Sequence, residues 1–127
     1  GVFVLALTSN PDGPEVQHAK AESGGTVAGA VLASVRAENA RAEPPGSVGA
    51  VVAANLASTD EDLAVNGPLL APGLGAQGGS VDDLRRIFAG VTSDVLPSTS
   101  RAVLATGPSA DALRSAAVAV MASVRAL

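Results

Sequence analysis

The chain has 127 residues, 47% of them hydrophobic and 16% charged, with 14 Gly, 8 Pro and a net charge of −4. This composition excludes a disordered tail, a coiled coil and a collagen-like repeat. Scattered basic residues and only two aromatic ones, Phe3 and Phe88, exclude the basic, ring-bearing surface that nucleic acids require.

There is no Cys and a single His, so disulfides and thiol nucleophiles are out and a zinc site is close to excluded. The longest apolar runs, around Val2–Leu7, Val48–Ala54 and Ala116–Ala122, are too short to span a bilayer. No charged leader precedes the first of them, so a cytoplasmic protein is expected, without a membrane partner. The length suits one domain over 1–127. Because the chain opens without Met directly on a strand-like run, and termini normally fray at the surface, it is expected to be a fragment of something longer.

Gly1–Leu7 is apolar throughout, which predicts a strand buried on both faces, the habit of parallel sheets. The breaker series Ser9–Pro14 follows. Thr26–Arg41 reads as a helix capped by Thr26, with Val27, Ala30, Val31 and Val35 on one face, ended by Glu43-Pro44-Pro45-Gly46. Ser47–Ala54 is a second strand. Asp60–Val65 predicts a short helix with Thr59 as cap and three acids favouring its positive end. Leu69–Ala71 is a third strand. Ser80 caps the next helix, whose apolar face is Leu84, Ile87 and Phe88. Asp94–Leu96 is the fourth strand. Ser109 opens the last helix, with Leu113, Ala116, Ala117, Val120, Met121 and Val124 as one stripe.

Strand and helix thus alternate four times, the pattern of a parallel α/β sheet covered by helices. Four such units suit half of an eight-stranded (β/α)8 TIM barrel, with a small open sheet as the alternative. In either fold the functional loops follow the C-terminal ends of the strands. Here those loops are Thr8–Gly25, Asn55–Asp60, Gly73–Gly79 and Pro97–Arg101.

The loop Pro72-Gly73-Leu74-Gly75-Ala76-Gln77-Gly78-Gly79-Ser80 carries four glycines, which let backbone N–H groups approach a ligand. It leads into a helix N-terminus, a natural place for an anion, and Gln77 is its one long polar side chain, donor and acceptor at once. A plain tight turn that only starts a helix has the same composition. In Leu96-Pro97-Ser98-Thr99-Ser100-Arg101, an Arg among small hydroxyl residues suits phosphate, and a surface Arg paired with an acid is the alternative. If these are the last units of a barrel, the two loops follow strands seven and eight, where barrels place phosphate. Thr8-Ser9-Asn10-Pro11 offers a hydroxyl and an amide to a polar ring edge, or only local turn bonds. His18 and Lys20 read as surface residues, Asp60-Glu61-Asp62 and Asp82-Asp83 as helix-start acids rather than a metal cluster, and Arg85 and Arg86 as a wet helix face.

Four stretches in order, GVFVLALTSNP (Gly1–Pro11), GSVGAVVAANL (Gly46–Leu56), GPLLAPGLGAQGG (Gly67–Gly79) and VLPSTSRAVL (Val95–Leu104), resemble the C-terminal half of the orotidine 5′-phosphate decarboxylases of the longer, actinobacterial branch. The resemblance implies a (β/α)8 barrel that converts orotidine monophosphate to uridine monophosphate and CO2 without metal or organic cofactor. It implies that Ser9 contacts the pyrimidine edge and that Pro72 and Leu74 line the base pocket. Gln77 would bridge pyrimidine carbonyl and phosphate with the Gly78 backbone beside it, and Arg101, with the Ser100 backbone, would hold the phosphate. The family is dimeric, so a homodimer is expected of the full-length protein. The family's Lys-Asp-Lys-Asp array and its Asp-x-Lys-x-x-Asp motif do not occur in this sequence, so no catalytic residue is expected in this chain and the fragment alone is expected to be inactive. The other readings are a non-catalytic phosphate-ligand module and a half barrel that pairs with a copy of itself.

Overall fold

The computed structural model describes every residue except Pro44 and Ala126. Four parallel strands, β1 (Val2–Leu7), β2 (Val48–Val52), β3 (Leu69–Pro72) and β4 (Val95–Ser98), form one sheet in the order β1-β2-β3-β4. Strand order equal to chain order, with no reversal, is that of a barrel arc and not of a doubly wound sheet. Five helices join them: α1 (Gly13–Gln17), α2 (Val27–Asn39), α3 (Val81–Ile87), α4 (Arg101–Leu104) and α5 (Ala110–Val124). Among the described residues no helix is long and apolar enough to cross a membrane.

The helix starts follow the cap chemistry. The Thr26 hydroxyl accepts from the Gly29 N–H at 2.9 Å, the Ser80 hydroxyl from that of Asp83 at 3.1 Å and the Ser109 hydroxyl from that of Ala112 at 3.4 Å. Helix α2 stops at Asn39, ahead of the predicted prolines, and Pro44 of that stop signal lies outside the described residues. Its buried face is Ala28, Leu32 and Val35, rotated by about one position from the predicted one, and it packs on β1 and β2. Phe88, fully buried beside Leu69, Leu84 and Val65, supplies the one ring of a core made otherwise of Ala, Val, Leu and Ile.

Three expectations are corrected. Asp60–Val65 is irregular, not helical. Arg36 takes the carbonyls that a helix would use: its Nε donates to the Ala64 oxygen at 2.7 Å and its Nη2 to that of Asp62 at 3.0 Å. Leu63 and Val65 both bury, on either side of a tight turn in which the Val65 N–H donates to the Leu63 oxygen at 2.9 Å. Second, the loops after β1 and β4 hold the short helices α1 and α4, and a single 3-10 turn, Thr92–Asp94, precedes β4.

Third, β1 is not buried on both faces: Val2 and Leu5 are 60% and 66% exposed, and only Ala6 and Leu7 are covered. It is a sheet edge, and so is β4. At the opposite edge α5 packs on α4 but stands off β4 across an apolar groove of about 530 Å³, with Met121 exposed rather than packed in the predicted stripe. Unpaired strand edges carrying apolar side chains recruit further strands. The 127-residue chain by itself is therefore expected to self-associate or aggregate. A monomeric species in light scattering that melts cooperatively contradicts this.

Candidate functional site

The C-terminal ends of the four strands carry the polar loops. After β1, the buried Gln17 amide closes on Thr8: its Oε1 accepts from the Thr8 N–H at 2.6 Å and its Nε2 donates to the Thr8 oxygen at 3.1 Å. This holds the Ser9–Pro11 turn against α1. Ser9 is exposed and lines a cleft of about 270 Å³ with Asn10, His18, Asn55 and Ser58.

Pairing of Pro72 with Ser98 brings the loops after β3 and β4 side by side. Between them lies a second cleft, of about 220 Å³, walled by Pro72, Gly73, Leu74, Ala76 and Gln77 on one side and Ser98–Arg101 on the other. Five of the seven residues singled out in the sequence, Pro72, Leu74, Gln77, Ser100 and Arg101, therefore share one cleft. Ser9 faces the neighbouring one. Gly78 is not brought to the wall; its N–H is engaged by the Gly75 oxygen at 2.8 Å.

The glycines earn their places here. Gly73 has φ +104°, and a Cβ on it would stand 3.1 Å from Asn55 Oδ1 and 3.3 Å from Gln77 Oε1. The loop's internal bonds use the N–H groups of Gly75, Gly78 and Gly79 and leave those of Ala76 and Gln77 unpartnered among the described residues.

Charge is distributed in the same sense. Arg36, Arg85, Arg86 and Arg114 pair with aspartates; Arg41, Arg101 and Arg125 have no ion-pair partner among the described residues, and of these three Arg101 lines the cleft. Among the described residues no group of three or more His, Cys, Asp or Glu side chains converges to hold a metal. His18 and Lys20 are exposed.

The helix N-terminus after the glycine loop differs from its expected role. Ser80 and Asp83 form a reciprocal capping box, so Asp83 Oδ2 takes the Ser80 N–H at 3.0 Å and fills the place of an anion with the chain's own carboxylate. Arg86, expected to be merely wet, joins Asp83 at 2.6 Å and also binds the main-chain oxygens of Leu56 and Ala57, fastening the β2 loop to α3. The Ser80 hydroxyl first, then Arg86, hold the Asp83 carboxyl down at about 2. A folded value below the unfolded one, near about 4, contributes stability that is complete above the unfolded value and is lost as pH falls through the folded one. Between about pH 4 and 2 the capping box is expected to release, seen as the Asp83 carboxyl titration by NMR and as a shallower acid limb of the melting curve in Asp83→Asn.

Sequence reasoning missed Asn55 and Thr99. Asn55 Nδ2 donates to the Gln77 main-chain oxygen at 3.0 Å, while Asn55 Oδ1 and Thr99 Oγ1 are buried without hydrogen-bond partners. An Asn three residues beyond a strand was the available signal for the first, and a hydroxyl in the Pro97–Arg101 run for the second.

Fold and cleft together define an arc of four βα units from a (β/α)8 barrel, with a polar cleft at the C-terminal ends of its strands. The chain is 63% identical over 107 residues to an orotidine 5′-phosphate decarboxylase of a Nocardioides species, covering 82% of this chain and 39% of that protein. It is 58% identical to the Salinispora arenicola protein of the same name, over 99% of this chain and 46% of that one. A crystal structure described as that enzyme from Streptomyces avermitilis superposes with a TM-score of 0.90 at 53% identity, covering 99% of this chain and 45% of the other. No family model matches. Over nearly its whole length the chain is thus similar to part of the actinobacterial orotidine 5′-phosphate decarboxylases, and it spans under half the length of these relatives.

Proposed function

We propose that this chain is the phosphate- and pyrimidine-binding part of an orotidine 5′-phosphate decarboxylase, built from the last four units of its barrel. The observation that carries this reading is the unpaired Arg101 facing Gln77 across one cleft of nucleotide-phosphate scale. Arg101 and the loop N–H groups of Ser100 hold the phosphate. Gln77 spans from phosphate to a pyrimidine carbonyl, Pro72 and Leu74 flank the base, and Ser9 reads the pyrimidine edge from the adjoining cleft.

The reaction breaks the bond between the pyrimidine ring and its carboxylate, releasing CO2 and leaving a ring carbanion that takes up a proton. In this reading a Lys/Asp array outside these 127 residues stabilises and protonates that carbanion, and the chain alone is inactive. The complete protein then acts as a cytoplasmic homodimer. Phosphate binding remote from the reacting carbon supplies the energy that closes loops and lowers the chemical barrier. The test is conversion of orotidine monophosphate to uridine monophosphate by the full natural chain and by the 127-residue segment. Turnover by the first and none by the second supports the reading; absence of uridine monophosphate binding by both overturns it.

A further inference from the structure

We propose that Asn55 is a positioning residue that ties the Ser9 cleft to the glycine-rich loop and aims the Gln77 amide at the ligand. The proposal rests on the nucleotide reading above. Asn55 stands past the end of β2, in the wall of the Ser9 cleft, yet its Nδ2 donates to the main-chain oxygen of Gln77 in the other cleft. That bond fixes which end of the amide is nitrogen, so Oδ1 faces away from it, buried and without a partner.

A buried acceptor with no donor is an unfavourable arrangement, and it calls for a group that satisfies it. Gln77 is placed to do so. Asn55 Oδ1 and Gln77 Oε1 lie 3.1 and 3.3 Å from the same point, where a side chain at Gly73 would begin. The two ends of a Gln amide have nearly the same shape, so a half-turn about its last torsion puts Nε2 in the place of Oε1. In the proposal Nε2 donates to Asn55 Oδ1 in the free protein, and when the nucleotide binds its N–H groups pass to the pyrimidine carbonyl and the phosphate. Asn55 thus holds Gln77 by its main chain and faces its side chain across the space that Gly73 leaves open.

The experiment is titration of the full natural chain with uridine 5′-monophosphate and, separately, with inorganic phosphate, with melting followed in parallel. Asn55→Ala is expected to weaken nucleotide binding by about tenfold and inorganic phosphate binding by much less, because phosphate draws on only one of the two Gln77 contacts and keeps Arg101. Introduced into Gln77→Ala, the same change is expected to add less than about twofold, because Asn55 acts through Gln77. Asn55→Asp keeps the shape but loses the donor; it is expected to match the Ala variant and serves where that variant fails to fold. Nucleotide affinity equal to the parent in both variants overturns the proposal. So does an equal loss in the presence and absence of Gln77, or an equal loss for both ligands. If Asn55 variants bind normally while Arg101→Ala does not, this proposal fails and the nucleotide reading stands. A parent chain that binds no uridine monophosphate overturns both.

Discussion

Replacing Arg101 by Ala is expected to weaken uridine monophosphate binding by roughly 10- to 100-fold while leaving the melting temperature unchanged. The size follows from a charge-assisted hydrogen bond to phosphate, about 1.5–3 kcal/mol. The unchanged stability follows from the fold. Arg101 is exposed at the start of α4 and has no ion-pair partner among the described residues, so its removal leaves no aspartate stranded. Arg101→Lys keeps the charge but not the planar fork and is expected to recover only part of the affinity. Calorimetric titration of the three proteins decides the matter. An unaltered affinity in Arg101→Ala removes the phosphate role from this loop.

Replacing Asn39 by Ala is expected to destabilise the fold by about 3 kcal/mol, read as a shift in the urea midpoint with unchanged slope. Asn39 is 1% exposed and lies at the end of α2, yet its side chain serves two other segments. Nδ2 donates to the Val48 oxygen at 2.7 Å and to the Val65 oxygen at 3.0 Å, and Oδ1 accepts from the Val48 N–H at 3.3 Å. Asn66 Nδ2 in turn donates to the Asn39 main-chain oxygen at 2.9 Å. One amide therefore starts β2 and positions the approach to β3. Gly46 and Gly67 lie directly against it, where a Cβ on either would collide with the amide. Removing the amide leaves three main-chain groups, one buried and two part-buried, without this partner, and each costs free energy to the extent that water cannot reach it. A loss under about 1 kcal/mol would mean that water replaces the amide.

Both variants bear on the site, by different routes. Arg101 acts on the ligand directly. Asn39 acts on the spacing of β2 and β3, whose ends carry Asn55 and the glycine-rich loop, so its variant is expected to lose stability before it loses affinity.

The (β/α) alternation was legible because each signal is local. The apolar runs at Val2–Leu7, Val48–Val52 and Leu69–Pro72 became strands, and Thr26, Ser80 and Ser109 became caps, since a hydroxyl reaches an N–H three residues on whatever the rest of the chain does. Asp60–Val65 was misread for the same reason. Its acids favour a helix start locally, but Arg36, distant in sequence, claims its carbonyls. Composition likewise marked β1 as apolar, while its exposure depends on what lies beside the sheet edge.

The sequence by itself determined the four strands, the capped helices, the glycine-rich turn and the motif resemblance, all of which reside in neighbouring residues. Only the tertiary structure decided that Pro72, Leu74, Gln77, Ser100 and Arg101 share one cleft and that Asn39 and Asn55 bind segments far from their own. Those relations follow from the parallel register that sets Pro72 against Ser98 and Ala50 against Leu69. Register is a property of paired strands, set by which faces bury together, and no single segment carries it.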